Sequence, residues 1–383
     1  MPPSLRWDIV CRVVDNFGDG GVCWRLARQL AAEHGIAVTL WIDDVATLAR
    51  IEPALDSRRD DQVARGVRVR RHSESHPAAF IDPDVVIEAF ACGLSDSYRN
   101  AMAAQPRPPV WVNLEYLSAE SWVESAHALP SPQPRMPLTC WFYFPGFTQN
   151  TGGLLREAGL SEARNAFMRK PSARAAAWRA TGVAPSESAL TVSLFCYANH
   201  ALPALLDTWA EGDEEVVCLV PEGVVQAELD LWTGGAVPHP GKPFVRGRLT
   251  LAVAAFVDQD AFDRRLWACD LNFVRGEDSL VRALWAAQPL VWHIYPQAED
   301  VHLLKLDAVL TRFDAGLDAE AVRARRGFWL AWNSGHPEET AAAWPSFRAA
   351  LPVLKAQADV QAGALARQED LAKQLVTFCE NRL

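Results

Sequence analysis

Nowhere in the 383 residues is there an uninterrupted apolar run of the roughly 18 residues that a membrane span requires, and the opening MPPSLRWDIV carries no signal-peptide pattern. A membrane-bound or exported protein is therefore not expected, and the chain is placed in the cytoplasm. CxxC pairs and Cys/His clusters are missing as well. The eight cysteines (Cys11, Cys23, Cys92, Cys140, Cys196, Cys218, Cys269 and Cys379) are scattered, several inside apolar runs, so they read as small core residues. An excess of basic charge is also absent: 37 Lys and Arg stand against 47 Asp and Glu, for a formal net charge of −10. Binding to a phosphate backbone rests on clustered Lys and Arg, so a direct nucleic-acid partner is not expected. The acidic balance either favours a basic partner or substrate, or serves solubility alone. There is no short-period repeat and no low-complexity tract.

Half of the composition is hydrophobic, enough at this length for two cores of ordinary size. Apolar runs recur between helix-like stretches: WDIVCRVV from Trp7, AVTLWID from Ala37, DVVIEAF from Asp84, PVWVNLEYL from Pro109 and CWFYFP from Cys140. Runs that are continuously apolar, rather than alternating, indicate parallel strands covered on both faces, hence an α/β fold. The Ala- and Arg-rich stretch from Ser161 to Ala180, followed by TGVAPSES, marks a boundary. The pattern then repeats with ALTVSLFCY from Ala189, EVVCLVP from Glu215, LTLAVAAFV from Leu249, CDLNFVRG from Cys269 and QPLVWHIYP from Gln288. The expected domains are 1–165 and 180–359, with a terminal helix over 360–383, marked by Leu365, Leu371, Leu375 and Phe378, packing back on the first. LPSPQPRMP from Leu129 and TGGAVPHPGKP from Thr233 read as loops.

Two short segments carry chemistry. Asp15-Asn16-Phe17-Gly18-Asp19 follows the first strand, where ligands of open α/β sheets collect. Gly18, Gly20 and Gly21 permit a tight turn there, and the next helix, with Val22, Leu26 and Leu30 on one face, offers amides at its start. No GxGxxG spacing is present, and two carboxylates four residues apart would repel a pyrophosphate; they suit a proton acceptor or a cationic substrate. The alternative is turn chemistry, with Asp15 closing an Asx turn and Asp19 capping the helix.

The corresponding place in the second half is Arg275-Gly276-Glu277-Asp278-Ser279, a basic side chain and a glycine at a helix start, suited to a diphosphate. Glu277 is the anomaly, a carboxylate that could grip sugar hydroxyls; a plain cap by Asp278 or Ser279 is the alternative. Phe195, Tyr197, Phe256 and Phe262 are aromatics that could sandwich a base or simply fill the core. The Gln259 amide can pair both edges of a pyrimidine. Asp258 and Asp260 form a DxD spacing, which in some sugar transferases holds a divalent ion; two doubly wound halves are the wrong setting for it.

The segments CRVVDNFGDGGVCWRLARQL, WVNLEYLSAESWVE, FYFPGFTQNTGGLLRE, NFVRGEDSLVRALWA and HIYPQAEDVHLLKLD, in order along nearly the whole chain, closely resemble the protein-arginine rhamnosyltransferases that modify bacterial translation elongation factor P. The resemblance implies a GT-B glycosyltransferase architecture of two facing Rossmann-like domains. It also implies dTDP-β-L-rhamnose as donor, an arginine in a loop of the N-terminal domain of elongation factor P as acceptor, inversion at the sugar, and no metal or other cofactor. By the same resemblance Tyr197, Gln259 and Arg275 to Ser279 match donor-binding positions, with Phe195, Phe256 and Phe262 around the thymine, and Asn16 to Asp19 approach the sugar from the first domain. Asp19 and Glu277 match residues essential for transfer, and Asp15 a further important carboxylate. Gly20 departs from the family pattern, standing where a bulky apolar residue is expected, which should loosen the loop. Rival readings are another GT-B transferase or an epimerase acting on a different nucleotide sugar, or a non-catalytic nucleotide-sugar-binding protein.

Overall fold

The computed structural model describes residues 5–15, 17–72, 82–179, 181–236, 238–297 and 301–383. Two compact units result, Met1–Ala158 with Ala366–Leu383, and Gly159–Leu365.

The first unit runs β1 (Arg6–Cys11), α1 (Phe17–His34), β2 (Ala37–Ile42), α2 (Val45–Ile51), β3 (Asp61–Ala64), β4 (Val67–Arg71), β5 (Val85–Ala89), α3 (Asp96–Ala104), β6 (Val110–Leu114), α4 (Trp122–Ala126), β7 (Pro130–Pro132) and β8 (Thr139–Tyr143). Its sheet has the order β3-β4-β2-β1-β5-β6-β8-β7, parallel from β4 through β8. The continuously apolar runs are the central strands: every residue of β5 and β6 is buried, as a sheet covered on both faces requires. The two edges are antiparallel additions. β3 and β4 form a hairpin whose turn residues Arg65 and Gly66 both have positive φ, 48° and 80°. LPSPQPRMP, expected as a loop, contributes β7. Its two prolines lack N–H groups, which a sheet tolerates only at an edge.

The second unit runs α5 (Leu160–Met168), α6 (Pro171–Arg179), β9 (Leu190–Leu194), α7 (Leu202–Glu211), β10 (Val216–Pro221), α8 (Gln226–Thr233), β11 (Phe244–Arg246), β12 (Leu249–Ala254), α9 (Gln259–Ala268), β13 (Leu271–Arg275), α10 (Asp278–Ala286), β14 (Leu290–His293), α11 (Val301–Phe313), α12 (Ala319–Asn333) and α13 (Pro337–Ala366). The sheet order is β11-β12-β10-β9-β13-β14, with only β11 antiparallel. The Ala- and Arg-rich stretch taken as the boundary forms α5 and α6. Both belong to the second unit: Trp178 of α6 is buried against Ala189, Val217 and Ala268, and Arg174 binds Asp270 at 2.8 Å.

The final helix, α14 (Leu371–Glu380), belongs to the first unit. Asp370 caps it, and the Leu371 amide donates to the Leu154 carbonyl at 3.0 Å. Leu371 and Leu375 are buried, and the Phe378 ring meets Tyr143 edge-on at 5.2 Å. Gln29 of α1 joins this helix to its own, donating to Asp370 at 3.0 Å. Among the described residues, no helix is long and apolar enough to cross a membrane. Seven of the eight cysteines are buried and Cys92 is partly so, as core residues should be.

Candidate active site

Ligands of doubly wound sheets gather at the carboxyl ends of the strands, where the strand order reverses. In the first unit that point lies between β1 and β5. After β1 the chain enters α1 at Phe17; Asn16 lies outside the described residues. Asp19 is therefore the third residue of a helix, not part of a loop. Its side chain turns back over the helix start, much as the acidic residue of a capping box does. Oδ2 accepts from the amides of Val14 (2.8 Å) and Asp15 (2.9 Å), and Oδ1 accepts from the Tyr116 hydroxyl at 3.3 Å. Asp19 is buried, whereas Asp15 is partly exposed and the neighbouring Val14 is 70% exposed. The Arg50 guanidinium lies 5.1 Å from the Phe17 ring.

The glycines act differently from the turn expected of them. Gly18, Gly20 and Gly21 are helical, and none has positive φ. Gly18 supplies space: its amide donates to the Asp15 carbonyl at 2.6 Å, and a Cβ there would lie 2.7 Å from Asp15 Oδ2. Gly18→Ala is thus expected to swing the Asp15 carboxylate aside at little cost to the fold, because the obstructing atom ends a flexible side chain. Lower turnover with stability within about 1 kcal/mol of the parent checks this. Gly20 sits in the buried face of α1, not in a loosened loop. A Cβ there would meet Ile42 Cδ1 at 3.5 Å and Val13 Cγ2 at 3.9 Å, ordinary contact distances. Gly20→Ala should therefore stabilise the fold by about 0.5–1 kcal/mol, read from the urea midpoint, by removing unfolded-state freedom.

The segment leaving β5 is strained. Phe90 and Ala91 have φ of 59° and 50°, a conformation costing about 1–3 kcal/mol for each non-glycine residue. Buried polar groups hold it: Glu88 accepts from the Gly93 amide (2.8 Å) and Trp111 Nε1 (3.0 Å), and Asn113 accepts from the Ala91 amide (3.0 Å). The conformation lays the Phe90 ring on Tyr116, centroids 4.4 Å apart and planes within 12°. Sequence reasoning missed Phe90 and Tyr116. The signal available was position, since Phe90 follows β5, which flanks the point of reversal, and Tyr116 follows β6, the next strand.

In the second unit the reversal falls between β9 and β13. Arg275 ends β13, its guanidinium carbon 4.7 Å from the ring centroids of both Phe195 and Tyr197, which follow β9. These two rings, expected around a base, also lie against an arginine. Phe262 meets Phe195 edge-on at 5.5 Å. Gly276 has φ of 61°, and its carbonyl accepts from Trp292 Nε1 at 2.7 Å. Glu277 occupies the N-cap position of α10 without a capping hydrogen bond from its side chain. Ser279 does not cap the helix either; its hydroxyl accepts from the Arg275 amide at 3.0 Å and donates to the Arg275 carbonyl. Asp278 lies in the first turn of α10.

Gln259 opens α9 and is buried, with Phe256 in the connection before it. Asp258 of the DxD spacing is the N-cap of α9, accepting from the Ala261 amide at 2.7 Å. The middles of α9 and α10 are tied together by the buried Arg282–Asp263 pair, with Nε to Oδ1 at 3.0 Å.

Two doubly wound units, each with candidate site residues at its reversal point, are the architecture of the GT-B glycosyltransferases. Acinetobacter baumannii MurG shares the fold, with a TM-score of 0.53 at 12% identity over 99% of this chain and 100% of that one. Residues 7–380 match the family described as Elongation-Factor P (EF-P) rhamnosyltransferase EarP. A protein-arginine rhamnosyltransferase of Pseudomonas putida is 49% identical over 383 residues, 99% of this chain and all of the relative. A solved structure described as the structural basis for EarP-mediated arginine glycosylation of translation elongation factor EF-P matches with a TM-score of 0.71 and 37% identity, over 99% of each chain. The chain belongs to the EF-P rhamnosyltransferase (EarP) family of glycosyltransferases.

Proposed function

We propose that the enzyme transfers L-rhamnose from dTDP-β-L-rhamnose to an arginine side chain of EF-P, inverting the anomeric carbon and using no metal or other cofactor. The observation that carries this reading is the chemistry at the two reversal points: carboxylates in the first unit suit a guanidinium, and in the second an arginine at the end of β13, just before the start of α10, suits a diphosphate.

A guanidinium stays protonated at physiological pH, so it is a poor nucleophile until a proton leaves. Asp15 and Asp19 dock the cation by charge-assisted hydrogen bonds. Asp19 takes the proton as the nitrogen attacks the anomeric carbon; with Oδ2 engaged by two backbone amides, Oδ1 is the accepting atom. The C–N bond forms as the bond from the anomeric carbon to the β-phosphate oxygen breaks, and dTDP carries the electron pair away. The start of α10 and Arg275 stabilise the charge that develops on the leaving group. Gln259 reads the thymine edge, with Phe195, Tyr197, Phe256 and Phe262 in the surrounding pocket. Asn16, Phe17 and Gly18 approach the sugar, while Gly276, Glu277, Asp278 and Ser279 fix sugar and diphosphate geometry.

Intact-mass analysis of EF-P after incubation with this protein and dTDP-β-L-rhamnose tests the reading. One added deoxyhexose on arginine, formed equally with a chelator present, is the expected result. No addition overturns the proposed reaction, and loss of addition with chelator overturns its metal-free form.

A further inference from the structure

His293 ends β14 directly beside Arg275 in the parallel register, at the carboxyl edge of the second sheet. It is 3% exposed. Its ring meets Tyr197 edge-on at 5.4 Å and Trp332 at 5.8 Å. Burial, with the Arg275 charge and then His302 adding to it, holds its pKa down at about 3, so the imidazole is neutral where the enzyme works. Nδ1 is buried without a hydrogen-bond partner.

An imidazole with no partner for Nδ1 is a poor choice for filling a core, since an unsatisfied buried polar atom costs about 1–3 kcal/mol. An orphaned buried N–H is rarer in proteins than an orphaned acceptor. With its single proton on Nε2, the tautomer that leaves no N–H orphaned at Nδ1, the neutral ring is a hydrogen-bond donor without charge, one strand away from the arginine. A second cation there would be repelled by Arg275; an uncharged N–H is not.

We propose that His293 is a further donor-site residue, whose neutral Nε2–H donates a hydrogen bond to the diphosphate of the bound nucleotide beside Arg275. This rests on the assignment of the second unit to a nucleoside-diphosphate sugar. The interaction is directional, so it orients the phosphate that Arg275 attracts.

Calorimetric titration with dTDP and with thymidine separates this role from packing. His293→Phe keeps a ring against Tyr197 and Trp332 but removes the N–H, and it should weaken dTDP about tenfold while leaving thymidine unchanged, as expected for a lost bond to a charged group. His293→Gln places an amide N–H near the Nε2 position and should recover most of that affinity. Equal weakening of dTDP and thymidine, or unchanged dTDP binding in His293→Phe, overturns the proposal. Should His293→Phe not fold, nitrogen-15 spectra of the wild-type imidazole decide: its Nε2–H resonance must move on saturation with dTDP, and a resonance that stays still overturns the proposal. Failure of the wild-type protein to bind dTDP at all removes the donor assignment itself, an outcome distinct from binding that ignores His293.

Discussion

Replacing Asp19 by Asn is expected to slow rhamnosyl transfer by a factor of about 10²–10⁴, the usual worth of a general base, while fold and donor affinity stay as they are. The amide is the right probe because of how Asp19 is held. An Asn carbonyl can still accept from the Val14 and Asp15 amides, and its NH₂ can donate to the Tyr116 oxygen, so every contact of the carboxylate has a counterpart. What is lost is the capacity to take a proton and the charge that helps dock the guanidinium, the second of which saturating acceptor offsets. Asp19→Ala is a poorer test, since it strands two backbone amides at about 1–3 kcal/mol each and confuses catalysis with stability. The measurements are turnover at saturating donor and acceptor, titration with dTDP, and thermal melting. Turnover within tenfold of the parent would assign Asp19 to capping and move the proton to Asp15.

That ambiguity shows where sequence reasoning stops. The central strands were legible because a parallel strand covered on both faces must be largely apolar, as in VVCLVP of β10 and in VVIEA of β5, where Glu88 is the exception. The edge strands were not. β7 is Pro-Ser-Pro, and at the other edge β3 is Asp-Gln-Val-Ala, its Asp61 gripped by Arg68 and Arg70 of the neighbouring β4. Edge strands form because a neighbour offers a ladder, and that neighbour is distant in sequence.

The same holds at the candidate site. Residue types at the two reversal points could be read, since strand ends followed by Asp, Gly and Arg have few uses. Their conformations could not. Asp19 belongs to the helix because its own carboxylate caps the turn before it, so turn chemistry and a functional carboxylate were never exclusive alternatives. Tyr116 reaches Asp19 from 97 positions away. Phe90 is brought to Tyr116 by a strained turn with no glycine at its first two left-handed positions, which argues that the strain is held for a purpose. His293 lies in an apolar strand, where a histidine carries no local signal; its register with Arg275 gives it meaning.

Replacing Arg275 by Met is the second change expected to have a large effect, weakening dTDP about 10–100-fold and thymidine hardly at all. Methionine fills much of the space between the Phe195 and Tyr197 rings, so the fold is retained, but the diphosphate loses its cation and at least one charge-assisted hydrogen bond. Salt should then matter less to dTDP binding than in the parent, because a screened charge has gone. Arg275→Lys divides the effect. Lysine restores the charge and with it the salt dependence. It lacks the planar group that two aromatic faces can hold, so affinity should recover only in part. Full recovery with Lys would mean that the rings are mere neighbours of the cation. Partial recovery would mean that Phe195 and Tyr197 aim the guanidinium, which gives their position after β9 a use.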